Sequence, residues 1–293
     1  MMRESAPAKI NLTLRAGALR DDGYHGVDSV VVFADWGDEL AVEPGDGLSL
    51  SISGPHGNDI PDDETNLVLL AARTLAMAAG CEVTGRLILT KNIPAGAGLG
   101  GGSADAAAAL RALNRLWALD WPLDMLAGIG AEIGSDVPAC LWSRPLRMTG
   151  RGERIRLIEA WPKLSALLVN PGVPVATSQV FQAFDDGPEG TGKGFRLTGG
   201  LDRASVLNDL KVATNDLTAP ACAVAPVIAE VLAELEADGS AELVRMSGSG
   251  STCFAVYSGV VRRDAAAVRL RTDHPGWLVQ AVEFPGVSAI NPV

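Results

Sequence analysis

The sequence predicts an α+β chain of two domains, an N-terminal α/β domain and a C-terminal ferredoxin-like domain. Three observations carry this. Strand patterns in the first half lead into a glycine-rich loop and an alanine-rich helix. The second half, from 164 to 283, repeats the order strand–helix–strand–strand–helix–strand, that of a ferredoxin-like plait. Between them, Thr149-Gly150-Arg151-Gly152 marks a break, so the boundary falls near 150–160.

The elements follow in order. From Lys9 the chain alternates: Ile10, Leu12 and Leu14 on one face, Lys9, Asn11 and Thr13 on the other, a half-buried strand. Asp21-Asp22-Gly23 is a turn signal. Strands are expected over 27–34, 39–42 and 48–53, then a loop over 55–61. Residues 65–79 read as a helix with Leu67, Leu70, Ala71, Leu75 and Ala78 recurring, Thr65 as N-cap and Gly80 as stop. A strand over 83–90 precedes the loop Pro94-Ala95-Gly96-Ala97-Gly98-Leu99-Gly100-Gly101-Gly102. Ser103 is the expected N-cap of the next helix, with Ala106, Leu110, Leu113 and Trp117 as its buried stripe. Beyond the break come a strand over 164–170, a loop-rich stretch over 171–200 and a helix over 226–237 presenting Val227, Val231, Leu232 and Leu235, with Pro226 near its start. Strands over 242–246 and 252–257, joined by Ser247-Gly248-Ser249-Gly250-Ser251, a helix over 262–271 and a strand over 278–283 complete it. There is no internal repeat.

Composition narrows the function. The 293 residues suit one to two domains with a sizeable core. Lys plus Arg is 24 against 35 Asp plus Glu, a net charge of −11. That balance argues against a whole-surface grip on nucleic acid or an anionic membrane, though a local basic groove stays possible. No apolar stretch approaches the roughly 20 residues that span a bilayer. Residues 1–7 carry no apolar signal core, so a cytoplasmic location is expected. Cys81, Cys140, Cys222 and Cys253 are scattered and read as buried reduced thiols. Three histidines (His25, His56, His274) are too few for a histidine-based metal site.

The loop 94–103 is the strongest chemical signal. Its glycines let backbone N–H groups approach an anion, and the helix behind adds its positive end. The reading is a polyphosphate cradle rather than a tight strand-to-helix turn. No Lys follows Gly102 as in a Walker A loop, and no ribose-reading acid marks it as a Rossmann loop. Lys9 alone would be a solvated strand charge, and Asp136 alone a turn or cap residue. Beside a phosphate cradle the two would supply the cation and the proton acceptor that phosphoryl transfer needs. Tyr24-His25 is either an exposed loop or a stack and hydrogen bond for a base. Ser247 to Ser251 is either a hairpin turn or a second close approach to an anion.

Three segments in this order, Pro7 to Leu12, Pro94 to Ala104 and Met246 to Gly250, resemble the GHMP kinase superfamily of small-molecule kinases. Within it, the group acting on a cytidylyl-methylerythritol fits best, through Asp22-Gly23-Tyr24-His25, Ile133-Gly134-Ser135-Asp136-Val137-Pro138 and Asn170-Pro171-Gly172-Val173 followed by Thr177 and Phe181. The resemblance covers about residues 6 to 285 and implies the two-domain GHMP kinase fold. Its ATP-binding N-terminal domain would be 1–155 and its ferredoxin-like C-terminal domain 156–293, with the active site in the cleft between them. It implies transfer of the ATP γ-phosphoryl to the 2-hydroxyl of the methylerythritol unit, in the non-mevalonate route to isoprenoids. It implies Asp136 as catalytic base and Lys9 as its partner. ATP would be bound by Pro94, Ala95, Gly96, Ala97, Gly98, Leu99, Gly100, Gly101, Gly102, Ser103 and Ala104, with Asn66 and Lys91 nearby. Asn11, Tyr24, His25, Thr177 and Phe181 would surround the acceptor. Mg²⁺ would arrive with ATP, held by phosphate oxygens and water rather than by a dedicated protein site.

One departure is Ala104, where many relatives have a second serine. It removes a hydroxyl that could assist phosphate or magnesium. Asp105 suits the helix dipole but adds negative charge near phosphates. The expected partners are therefore ATP and a small cytidylyl substrate, with no nucleic acid and no membrane; the oligomeric state is not set by the sequence. Competing readings are a homoserine- or mevalonate-type kinase and a non-catalytic ligand sensor on the same scaffold. Tyr24-His25 speaks against the first, Lys9 with Asp136 against the second.

Overall fold

The computed structural model describes residues 1–21, 23–187, 194–196, 198 and 200–288. Asp22 of the expected turn, and part of the expected 171–200 loop, lie outside the described residues. In chain order the strands and helices are β1 (Met2–Asn11), β2 (Arg15–Leu19), β3 (His25–Glu43), β4 (Leu48–Ser53), α1 (Leu67–Ala79), β5 (Gly85–Thr90), α2 (Gly101–Leu116), α3 (Leu123–Ile133), α4 (Val137–Trp142), β6 (Leu146–Gly150), β7 (Arg154–Leu157), β8 (Leu164–Asn170), α5 (Thr177–Asp185), α6 (Arg203–Val212), α7 (Thr218–Val224), α8 (Val227–Ala237), β9 (Ala241–Met246), β10 (Cys253–Tyr257), α9 (Val260–Asp273) and β11 (Leu278–Phe284).

The chain divides into two compact units. One comprises Met1–Lys9, Trp36–Ala95 and Gly100–Ser143, the other Ile10–Asp35, Gly96–Leu99 and Arg144–Val293. In the first, the second half of β3 pairs antiparallel with β5, which pairs parallel with β4. Helices α1 to α4 pack on one another, with α2 in the middle. Gly37 is required here, because a Cβ on it would lie 2.3 Å from the Ala6 carbonyl oxygen.

In the second unit, the first half of β3 pairs with β2 and β6, and β6 with β7. A four-stranded sheet of order β11-β8-β10-β9, antiparallel throughout, carries α8 and α9. That is the strand order of the ferredoxin-like plait read from the sequence. Ile228, Val231 and Leu235 of α8 and Ala266, Ala267 and Leu270 of α9 bury against Leu167, Val169, Ala255 and Tyr257.

Several local expectations change. The two strands expected over 27–34 and 39–42 are one 19-residue strand, β3. The strand carrying Lys9 is buried on both faces, not one: Lys9, Asn11 and Thr13 are as enclosed as Ile10 and Leu12. Asn66, not Thr65, caps α1, accepting from the Val68 N–H at 2.9 Å, and Thr65 instead bonds Asp63. In α1 the buried face is Val68, Ala71, Ala72, Leu75 and Ala76, while Leu70 is exposed. Helix α2 starts at Gly101 after Gly100 in the left-handed region, so Ser103 lies inside its first turn and is not the cap. Trp117 is only half-buried at the end of that helix. In α8, Ile228 takes the buried place expected of Val227. The expected loop over 171–200 contains α5. Of the cysteines, Cys140 and Cys253 are buried, Cys222 is intermediate and Cys81 is exposed. Among the described residues no helix is long and apolar enough to cross a membrane.

Candidate active site

In the first unit Lys9 and Asp136 meet. The Lys9 ammonium donates to Asp136 Oδ1 at 3.0 Å. Lys9 is 4% exposed because β1 is enclosed on both faces, and its stem passes the end of the glycine loop. A Cβ on Gly100 would lie 3.2 Å from both Cβ and Cε of Lys9, and Gly100 has φ +63°, so only glycine fits without strain. Asp136 stands at the N-cap position of α4, yet its side chain makes no capping hydrogen bond. Its carboxylate is thereby left to the lysine, with about a third of the side chain (32%) still open to solvent. Ser103 Oγ faces Gly134 in the turn before Asp136, 4.0 Å from where a Cβ would stand. Lys9, Asp136, Gly100 and Ser103 thus share one site.

Helix α2 enters this site with an uncapped N-terminus. Among the described residues no side chain caps it, and the Ala104 N–H is the first to close a turn, onto Gly100 O at 2.8 Å. The N–H groups of Gly101, Gly102 and Ser103 therefore suit an anion. Ala104 is buried, so its side chain does not face the surface where a ligand would lie.

Lys91 is placed otherwise than expected. It is buried, and its ammonium is held between Asp38 and Asp105, donating to Asp105 Oδ2 at 2.7 Å and to Asp38 Oδ2. It lies behind the loop, 3.0 Å from the Cβ position of Gly101, and is not a contact open to a nucleotide. Burial pushes the Asp105 carboxyl up to about 7; Lys91 pulls it down, and the charge of Asp38 adds to the rise. Asn66 is likewise engaged by the fold, in the α1 cap and with the Pro61 carbonyl at 2.7 Å.

In the second unit, residues 96–99 of the glycine loop run against Ser247 to Thr252. A Cβ on Gly98 (φ +74°) would lie 2.1 Å from Gly250 O, so the two backbones touch only because residue 98 is glycine. Thr252 donates from N–H and Oγ1 to Ala97 O, at 3.2 and 2.5 Å. Asn170 Nδ2 holds Ser251 Oγ and Thr252 Oγ1 at 3.1 and 2.9 Å. The second glycine segment is a hairpin connection that also fixes the first. Ala97 and Leu99 point inward, while Ala95 and Gly96 are exposed. Asn11 is fixed through Nδ2 to Ser29 Oγ at 2.7 Å, and its N–H donates to Ser247 Oγ at 3.1 Å.

The same unit contains an aromatic cluster. His25 opens β3 and is buried, not an exposed loop residue. Its ring stacks on Phe181 at 4.7 Å and 18° and meets Phe184 edge-on at 5.9 Å. Its Nδ1 lies 2.9 Å from Gly17 O and its Nε2 3.3 Å from Asp185 Oδ2. Tyr24 stays 55% exposed, with the Arg151 guanidinium 5.2 Å from its ring centroid. Thr177 begins α5 and bonds Ser249 Oγ at 2.9 Å. Sequence reasoning missed Asp38, Asp185, Phe184 and Ser29. Asp38 left only a weak trace, one of three carboxylates (with Asp35 and Glu39) between the apolar runs at Val32 and Leu40.

Comparison with known proteins places both halves of the chain in a family. Residues 66–144 match the GHMP kinases N terminal domain and residues 208–274 the GHMP kinases C terminal domain. The 4-diphosphocytidyl-2-C-methyl-D-erythritol kinase of Paramagnetospirillum magneticum is 46% identical over 279 residues, covering 95% of this chain and 97% of the relative. The chain belongs to the 4-diphosphocytidyl-2-C-methyl-D-erythritol kinase family. A second family member, from Bradyrhizobium diazoefficiens, is 45% identical over 291 residues, covering 95% of this chain and 96% of its own. A crystal structure of a 4-(cytidine 5'-diphospho)-2C-methyl-D-erythritol kinase superposes with a TM-score of 0.80 at 34% identity, over 97% of this chain and all of that one. Homoserine kinase from Cytophaga hutchinsonii has the same fold at 16% identity, with a TM-score of 0.70 over 97% of this chain and 94% of its own.

Proposed function

We propose that this family member transfers the γ-phosphoryl of ATP to the 2-hydroxyl of 4-diphosphocytidyl-2-C-methyl-D-erythritol, giving the 2-phosphate and ADP for non-mevalonate isoprenoid synthesis. The observation that carries the chemistry is the Lys9–Asp136 pair beside Gly100 and Ser103. The sequence kinship carries the acceptor's identity.

Asp136 orients the acceptor hydroxyl and takes its proton. The acceptor oxygen forms a bond to the γ-phosphorus as the bond from that phosphorus to the β–γ bridging oxygen breaks, and ADP leaves with the electron pair. A loose transition state asks little early deprotonation, so orientation is the larger part of the carboxylate's work. Lys9 fixes that carboxylate and balances charge near the transferring group. Residues 94–104 hold the phosphates, chiefly through the N–H groups of Gly101, Gly102 and Ser103, as the uncapped start of α2 and the side-chain-free Gly100 to Gly102 suggest. Among the described residues no group of three or more His, Cys, Asp or Glu side chains could hold a metal ion. Mg²⁺ brought in with ATP would be held by phosphate oxygens and water and would neutralise phosphate charge. Asn11, Tyr24, His25, Thr177 and Phe181 surround the acceptor, with the exposed Tyr24 ring able to stack on the cytosine and the buried His25 held on Phe181.

The test is ADP release with ATP and Mg²⁺ against three acceptors. The cytidylyl compound should be consumed and homoserine and mevalonate should not. Consumption of either of the latter in preference, or ATP binding without turnover on any acceptor, would refute the reading.

A further inference from the structure

The glycine-rich loop is fastened at both ends by one buried charge cluster. At its start, Asp38 Oδ1 accepts the N–H groups of Asn92 and Ile93, at 2.5 and 2.8 Å, just before Pro94. At its end, Asp105 lies one turn into α2. Lys91 bridges the two carboxylates, and Ile93 Cγ2 lies 3.1 Å from the Cβ position of Gly101. Asp38, Lys91 and Asp105 are each 2% exposed or less.

Such a cluster is expensive if it only stabilises the fold. Two carboxylates share one ammonium, and Asp105 Oδ1 is buried without a hydrogen-bond partner. Its negative charge also stands behind a helix end suited to phosphate, where it opposes anion binding. What the arrangement does supply is fixed ends for the stretch 94–100. A loop already held in its binding geometry loses less conformational freedom when a ligand arrives.

We infer that Asp105 is a positioning residue for the donor nucleotide, acting through Lys91 and Asp38 to hold the two ends of the phosphate loop together. This rests on the proposed function in one respect, that the loop binds ATP. It adds that donor affinity, and not acceptor affinity, depends on a carboxylate that touches neither ligand.

The experiment is calorimetric titration of the whole protein with ATP and Mg²⁺, and separately with the cytidylyl acceptor, on the parent, Asp105→Ala and Asp105→Asn. Asp105→Ala should weaken ATP about tenfold, the scale of a slight misplacement of binding groups, and leave the acceptor within about twofold. Asp105→Asn keeps an oxygen for Lys91 and should restore ATP to within about threefold of the parent. Unchanged ATP affinity in Asp105→Ala, an equal loss for both ligands, or failure of Asp105→Asn to rescue would each overturn the inference. Should Asp105→Ala not fold, Asp38→Ala removes the oxygen that accepts the Asn92 and Ile93 N–H groups, so releases the other end of the loop and should weaken ATP by at least a similar factor; parent-like affinity there would overturn it. A parent that binds no ATP would sink this inference and the proposed function together, whereas a parent that binds and variants that match it sink the inference alone.

Discussion

The Lys9 ammonium stands 3.0 Å from Asp136 Oδ1 across 127 residues of sequence. The lysine comes from a strand enclosed on both faces, the aspartate from a helix start that its own side chain does not cap. A capping aspartate would have turned its carboxylate onto α4's own N–H groups. Here the carboxylate is held toward the ammonium and one third open, which suits a group that must meet an acceptor hydroxyl.

Lys9→Met keeps the stem that passes Gly100 and deletes the charge. It should lower kcat by about two orders of magnitude with a small change in KM for ATP, since charge near the transferring group matters chiefly in the transition state. Steady-state kinetics with a thermal melt as folding control decide it; a kcat within threefold of the parent would remove Lys9 from the mechanism.

Gly98→Ala places a methyl 2.1 Å from Gly250 O at a positive φ. It should destabilise by about 2 kcal/mol or more and lower the thermal midpoint by about 4 °C or more. Gly128→Ala, within α3 and with nothing inside 4 Å of the added carbon, is the control and should be neutral or stabilising by up to about 1 kcal/mol. Equal melting of the two variants would contradict the close backbone approach.

Tyr24→Ala removes an exposed ring proposed to stack on cytosine. Stacking on one base is worth about 1–3 kcal/mol, so KM for the cytidylyl acceptor should rise about tenfold, with kcat and the KM for ATP little changed. An acceptor KM equal to the parent's would rule out the stack.

Asp105→Asn should change the pH dependence of stability. The carboxyl is held at about 7 in the folded chain, above the ordinary value of 3.8. The folded state therefore binds more protons than the unfolded state in that interval, so the parent loses stability as pH rises from about 4 to about 7. Asn does not titrate. The stability of Asp105→Asn relative to the parent should grow across that interval, measured by urea unfolding at several pH values; parallel curves would contradict a raised carboxyl.

Much of this was legible in the sequence because short-range signals carried it. Period-two alternation and helical spacing gave the plait, and Gly96 to Gly102 marked the glycine-rich loop leading into α2. That Lys9 and Asp136 belong together was readable only once they were considered beside that loop, and the structure brings the two side chains into contact. What escaped depended on tertiary contact. Thr65 and Ser103 are good capping residues by type, but Asn66 and Gly100 hold the positions where the chain turns. Lys9, Asn11 and Thr13 look solvated by alternation, yet a second layer covers them. Lys91 seemed available to a nucleotide because Asp38, 53 residues earlier, gave no spacing signal that it would claim the ammonium. His25 looked like a loop residue because Phe181, Phe184 and Asp185 reach it from α5, inside a stretch whose glycines and prolines read as loop.

The most direct test of the chemistry is the single-turnover rate of phosphoryl transfer by Asp136→Ala, with ATP and the cytidylyl acceptor both saturating and folding verified by melting. Loss of a positioned acid–base group predicts a fall of about two to four orders of magnitude. A rate within threefold of the parent would show that the carboxylate beside Lys9 takes no part in the reaction.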